Sequence, residues 1–406
     1  MTALNATLPR EFLLAAACCI WPPSERRNLA ICSALEEKID WDRFLRIVKR
    51  QRVAGLVHDG LTQAQVSVPP HIARQTQNMA AGIARQNLFY AAESLRIQQL
   101  FDEAGVSLLF VKGITLAQLA YGTLALKHSW DVDLLVMPGA VSQALQLLAQ
   151  AGYHPFPALP PTKDQRYERW MRFGNEFVLF HNSNSVHVEL HWKLAENSYF
   201  LSEVSAESPT QIVRLPNGAG LRTLVDDDLF AYLCVHGASH GWSRLKWLAD
   251  VAALMVHDNA SDAQQRLNAA KTVRAEECVA QAFLLCDRLF ATPSLIALSL
   301  QLRLKRRCRW LERVAFGALT NGGAETETDH SSLVHLSIRL SHFMLGRGLR
   351  FASNELWNKL NRPYDQLYIT LPNWLGILYP LVRIAAWVKR RGRPRPLPVP
   401  PNLTPE

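Results

Sequence analysis

The chain has 406 residues, 49% of them hydrophobic and 19% charged, with a net charge of +9. That length can hold two or three domains with full cores, and the balance excludes wholesale disorder. The positive excess fits a phosphate-bearing substrate, nucleic acid or an anionic membrane surface, or a solvated basic face with no partner.

The seven cysteines include no CxxC and no Cys/His cluster at zinc spacing, so they read as reduced thiols of a cytoplasmic protein. The apolar stretch Phe12 to Trp21 lies between Arg10 and Arg26 without a cleavable small-residue site, unlike a signal peptide. The longest uncharged C-terminal run, Gln366 to Val382, is broken by Pro372 and Pro380. It falls short of the roughly 20 residues that a spanning helix needs.

Residues 1–105 read as helical. Asp40 can cap a helix in which Phe44, Leu45, Val48, Val53, Leu56 and Val57 recur at helical spacing. A second helix is expected from about Ile72 to Ala104, with Gly105 as its stop. The pattern then changes. Ser107 to Val111 is a run of strand length, Ile114 to Tyr121 has helical spacing, and Val132 to Val136 reads as a buried strand. Pro138 can open a helix over 140–151. The proline-rich stretch 154–165 is expected to be a loop, and 177–180 with 185–190 a hairpin turning at 181–184.

From Asp226 onward the spacing is helical again, with a break near Gly237 to Ser243. Further helices are expected at about 262–290, 295–318 and 333–360, with 321–331 as an exposed linker. Basic clusters stand at Lys305-Arg306-Arg307 and in the tail 389–395. Residues 367–388 mix aromatic and aliphatic side chains with a basic end. They read either as a bundle-closing element or as an interfacial one giving peripheral membrane contact.

The chemistry concentrates at Asp131-Val132-Asp133. Carboxylates at i and i+2 of a strand point to one face, and a soluble protein rarely buries such a pair without a cation. Two hard oxygen ligands suit Mg²⁺. A third carboxylate is expected from a neighbouring strand, and Glu189 in the segment 187–191 is the candidate. Alternation puts His187, Glu189 and His191 on one face, which is either a metal-binding face or the wet face of an edge strand. Lys112-Gly113 reads as a phosphate grip: glycine lets backbone approach closely, the following helix start offers free N–H groups, and Thr115 adds a hydroxyl.

The wording Lys112-Gly113-Ile114-Thr115, followed by Lys127-His128-Ser129-Trp130-Asp131-Val132-Asp133-Leu134, resembles the polymerase-β-type nucleotidyltransferase superfamily. Within it the chain looks like the branch that includes the uncharacterised nucleotidyltransferase family of bacterial biosynthetic gene clusters and the nucleotidyltransferase toxins. The pieces 188–194 and 236–251 are similar to the first of these. Ile114 stands where many members carry a second Gly or Ser. Lys127 replaces the usual Arg, keeping the charge but losing the bidentate fork.

The resemblance implies an α+β fold: a polymerase-β-like core of a small mixed sheet with helices, flanked by N- and C-terminal helical regions. The expected division is a helical region 1–105, a catalytic core 106–225, a helical domain 226–390 and a disordered basic tail 391–406. The implied activity is transfer of an NMP from an NTP to an acceptor hydroxyl or phosphate on a small molecule, peptide or glycan, with release of pyrophosphate. Asp131, Asp133 and Glu189 would hold two Mg²⁺ ions, or Mn²⁺ in their place. Lys112, Gly113, Thr115, Lys127 and Ser129 would bind the nucleotide. His191, His236, His240, Arg244 and Lys246 are candidates to line the substrate site, with a helix packed on the sheet as the structural alternative for the 236–250 stretch. The alternatives are a toxin-like enzyme acting on RNA, and a non-catalytic nucleotide-binding scaffold of the same fold.

Overall fold

A computed structural model describes residues 8–361, apart from 182, 185 and 326–332. The expectations for 367–388 and for the tail 391–406 fall outside the described residues.

The N-terminal region contains α1 (Arg10–Cys18), α2 (Glu25–Ala34), α3 (Trp41–Gln51), α4 (Ala54–Gln63) and α5 (Pro70–Glu103). Asp40 does cap α3, its carboxylate accepting from the Arg43 N–H. The single helix expected from Asp40 onward is two, because Arg52 adopts a left-handed conformation (φ 57°) that ends α3 and turns the chain into α4. The 34 residues of α5 form a rod about 50 Å long, at about 1.5 Å per residue.

The next elements are β1 (Leu109–Phe110), α6 (Ile114–Tyr121), β2 (Val132–Leu135), α7 (Val141–Gln150), β3 (Tyr153–Pro155), α8 (Gln165–Phe173), β4 (Glu176–His181) and β5 (His187–His191). Among the described residues they build a five-stranded sheet in the order β1-β2-β5-β4-β3. β2 and β5 are parallel and the other pairs antiparallel. Two elements were not expected. The proline-rich stretch begins as an edge strand, β3, which Pro155 can end because an edge position needs no further N–H donor. Helix α8 follows, capped by Asp164.

A second hairpin pairs β6 (Thr210–Arg214) with β7 (Gly220–Leu224). The C-terminal helices are α9 (Asp226–Ser239), α10 (Leu245–Leu254), α11 (Ala260–Thr272), α12 (Glu276–Phe290), α13 (Ile296–Leu304), α14 (Arg306–Leu319), α15 (Leu333–Ser341) and α16 (Gly348–Leu360). The helix expected over 262–290 is divided at Arg274, which has a positive φ, and the one over 295–318 at Lys305. The chain is therefore a mixed α+β protein. No helix among the described residues is long and apolar enough to cross a membrane.

The sheet has two unlike faces. Val132, Leu134, Val188, Leu190, Phe177 and Leu179 point into a core shared with Tyr90, Ile97 and Phe101 of α5 and with Leu148 of α7. The other face carries Asp133, Glu189, His191 and Glu176. A larger core formed by α1–α4, α6 and α9–α14 lies on that side. The polar face thus lies between the sheet and helices, with Glu176 and Glu189 only partly covered.

Candidate active site

Strand register assembles the polar face. Asp133 of β2 pairs with Glu189 of β5, and His191 pairs with Glu176 of β4. These side chains open into one cavity of about 460 Å³, whose wall also includes Lys112, Lys127, Ser129, Asp131, Tyr232 and His236.

Asp133, Glu189 and His191 place one ligand atom each within 4.8 Å of one another. His191 Nε2 lies 3.3 Å from Asp133 Oδ1 and 3.5 Å from Glu189 Oε2, while its Nδ1 faces Glu176 Oε2 at 3.2 Å. Lys112 Nζ sits 2.7 Å from the same Asp133 Oδ1. Asp133 Oδ2 is buried without a hydrogen-bond partner. Among the described residues, only Lys112 and His191 stand at ion-pair distance from Asp131, Asp133, Glu176 or Glu189.

The electrostatics follow from burial and this local charge. Burial pushes the Asp133 carboxyl up, but Lys112 and the His191 hydrogen bond outweigh it and hold the group well below the usual carboxylate range. Burial, then the Asp133 charge, raise Asp131. Burial also raises Glu189, with Asp133 and Asp131 adding to it, and burial raises Glu176. Burial lowers His191, yet its hydrogen bond to Asp133 and the nearby glutamates lift it to about 10. The cluster is carboxylate-rich and has an orphaned carboxylate oxygen on the buried Asp133. The carboxylates of this set fit a divalent cation, and His191 could join them as a ligand on giving up its proton to the incoming charge.

Lys127 and Lys246 make another, cationic, part of the cavity wall. Lys127 Nζ is 3.6 Å from Asp250 Oδ2, and Asp250 also accepts from the Tyr121 hydroxyl at 2.9 Å. Lys246 is held down to about 7 by burial and by the neighbouring Lys127 and Arg52. The strap over 124–131 that carries Lys127, Ser129 and Asp131 is tied to α5. Asn87 donates to the Leu124 and Lys127 carbonyls, and the Tyr90 hydroxyl donates to the Trp130 carbonyl. Ser129 lines the cavity, and its Oγ is buried with no partner.

Gly113 begins α6 with φ 63° and ψ −123°, a conformation open to glycine, and a Cβ there would meet the Asp131 carbonyl oxygen at 3.3 Å. The Lys-Gly turn is thereby folded against the Asp131 strap. A third wall comes from α9 and α10. The His236 and His240 rings lie 4.6 Å apart, and Trp247 stacks on His240 at 5.2 Å. Burial lowers both histidines, His240 to about 4, so the rings are neutral at pH 7.

Most residues singled out from sequence meet here. Lys112, Gly113, Lys127, Ser129, Asp131, Asp133, Glu189, His191, His236, His240 and Lys246 all line the cavity. Two do not. The Thr115 hydroxyl turns back to the Phe110 and Lys112 carbonyls and is buried in the turn, so it braces the Lys-Gly corner and offers nothing to a phosphate. Arg244 precedes α10 outside the lining. Sequence reading also passed over Glu176. It stands one residue before the strand expected at Phe177, on a face otherwise apolar in sequence (Val178, Phe180), so only its pairing with His191 marks it. It passed over His342, Glu355 and Lys359 as well, which reach the lining from the C-terminal region.

Residues 37–291 match a family described as an uncharacterised nucleotidyltransferase. The chain belongs to this family. No curated protein and no solved structure matches it. The matched span contains the acidic cluster, the Lys-Gly turn, the cationic wall and the histidine pair. It ends before α13, so His342, Glu355 and Lys359 reach the cavity from outside the family region.

Proposed function

We propose that the chain is a divalent-metal-dependent nucleotidyltransferase that moves an NMP from an NTP to an acceptor hydroxyl and releases pyrophosphate. The observation that carries this reading is one cavity holding both a buried carboxylate cluster and a buried cationic wall, in a chain of a nucleotidyltransferase family. Residues 106–225 would be its polymerase-β-like catalytic core.

Asp133 and Glu189 would hold the metal, with His191 beside them and Asp131 completing the acidic face. The bound metal would supply charge neutralisation at the phosphates and lower the pKa of the acceptor hydroxyl. Lys127, Lys246 and the Ser129 hydroxyl would bind the triphosphate, which brings to Lys246 the negative charge it lacks. The acceptor oxygen forms a bond to the α-phosphorus, the bond from that phosphorus to the bridging oxygen breaks, and pyrophosphate leaves. Glu189, on the same acidic face, would take the hydroxyl proton. Lys127 stabilises the charge that develops on the leaving pyrophosphate. The neutral His236, His240 and Trp247 rings offer a stacking surface to a base or an acceptor ring.

A small molecule, peptide or glycan suits the cavity better than RNA, because Lys127 is buried inside it rather than set along an exposed groove. The test is incubation with Mg²⁺ and each of the four α-³²P-labelled NTPs together with acceptor pools. Label transfer by the wild type that is lost in the Asp133→Asn/Glu189→Gln double variant supports the assignment. Transfer that survives the double substitution sinks it.

A further inference from the structure

Lys112 stands on the metal-competent carboxylates themselves. Its Nζ lies 2.7 Å from Asp133 Oδ1 and 3.9 Å from Glu189 Oε2. His191 Nε2 approaches those same two oxygens. They belong to the group whose ligand atoms lie within 4.8 Å of one another. The ammonium therefore occupies an approach that a cation bound by Asp133 and Glu189 would need. The Asp133 side chain is wholly buried and that of Lys112 nearly so, with 13% exposed, so little water screens the pair.

A divalent ion bonds to a carboxylate oxygen at about 2.1 Å. Such an ion on Asp133 Oδ1 would lie beside an ammonium already touching that oxygen, and two unscreened cations at that range repel strongly. Displacing Lys112 without offering it another anion leaves a buried unpaired ammonium, which is costly. The Tyr232 ring, with its centroid 6.0 Å from Nζ, carries no formal charge to replace the lost one, and the further anions that act on Lys112, Asp131 and Glu176, belong to the same acidic face that a bound cation would neutralise. A triphosphate arriving with the metal brings the missing anion, and Lys112 lines the same cavity as the cationic wall that would receive it.

We infer that Lys112 is a built-in counter-ion that holds Asp133 and Glu189 for the metal and yields them only when a nucleotide supplies phosphate oxygens for its ammonium. Metal and nucleotide then bind cooperatively, and metal alone binds weakly. This role rests on the nucleotidyltransferase reading for its nucleotide half. Its metal half stands on the distances alone.

Mn²⁺ is the probe, read by electron paramagnetic resonance on the full chain. It is titrated alone and with each of the four α,β-methylene NTP analogues. Wild type alone binds Mn²⁺ weakly, and the accepted analogue tightens it at least tenfold. Lys112→Met binds Mn²⁺ alone at least tenfold more tightly than wild type and loses most of the coupling. Lys112→Arg keeps the charge and stays weak. Lys112→Gln, with its fold checked by circular dichroism, substitutes for the methionine variant if that one misfolds. Neutral variants binding Mn²⁺ alone no more tightly than wild type overturn the inference. Tighter Mn²⁺ binding by the neutral variants, with no analogue tightening wild type, leaves the counter-ion role standing and removes the nucleotide reading.

Discussion

Lys246 is the residue whose ionisation is most open to change by a ligand. Burial and the charges of Lys127 and Arg52 lower it to about 7, from an ordinary value of 10.5. Near pH 8 it is therefore mostly neutral in the free molecule. A triphosphate lodged beside it restores the charged form, so binding takes up close to one proton from solution. Calorimetry near pH 8 in buffers of different ionisation enthalpy measures this uptake. Wild type is expected to show a slope near one proton and Lys246→Met a slope near zero. Equal slopes for the two would remove Lys246 from the phosphate site. Nothing in the sequence marks this lysine as perturbed. It reads as one more charge on a helix, and its state depends on cations from residues 52 and 127, far away in the chain.

At the scale of the element, the break between α9 and α10 was legible and its reason was not. Gly237 to Ser243 reads as a break, and α9 ends at Ser239 with α10 starting at Leu245. The cause lies in Trp242, which is fully buried and folds back so that a Cβ on Gly237 would come within 2.4 Å of its ring. Its indole N–H donates to Gln281 of α12. The turn thus sets the angle between the helix bearing His236 and the helix bearing Lys246 and Trp247. Gly237→Ala is expected to destabilise the fold by about 1–3 kcal/mol through overpacking, read as a drop in the urea midpoint. An unchanged midpoint would show that the indole has room to move.

Some other elements were beyond reach from the sequence. Edge strand β3 lies among prolines that read as loop, and only pairing with β4 makes it a strand. The divisions at Arg52 and Arg274 depend on left-handed residues that carry no glycine signal.

Across the whole molecule, the cavity is closed by helices more than a hundred residues downstream of the acids. Glu355 of α16 accepts from Asn197 Nδ2 at 2.9 Å and from Lys359 Nζ at 2.9 Å, tying the C-terminal helices to the segment after β5. Burial raises the Glu355 carboxyl, but His342 and Lys359 beside it outweigh that and hold it at about 2, below its ordinary 4.5. The contribution of this depressed group to stability is complete above about pH 4.5 and is lost as the pH falls toward 2. Glu355→Gln is expected to remove on the order of 2 kcal/mol at pH 7 and to flatten the loss of stability between pH 4.5 and 3. Thermal unfolding at both ends of that range tests it, and identical acid profiles for the two proteins would refute the assignment.

The pair Asp131/Asp133, the Lys-Gly turn and the polar alternation of 187–191 are local patterns, because strand period and glycine conformation act over a few residues. They were enough to point to the acidic face and to the family. The register that sets Asp133 beside Glu189, the arrival of Glu176 opposite His191, and the seating of Lys112 on the carboxylates needed the folded sheet. Each of these joins residues distant in the chain through backbone pairing and burial. Spacing along one strand carries no record of which strand will lie next to it, or of which cation the closed core will trap against it.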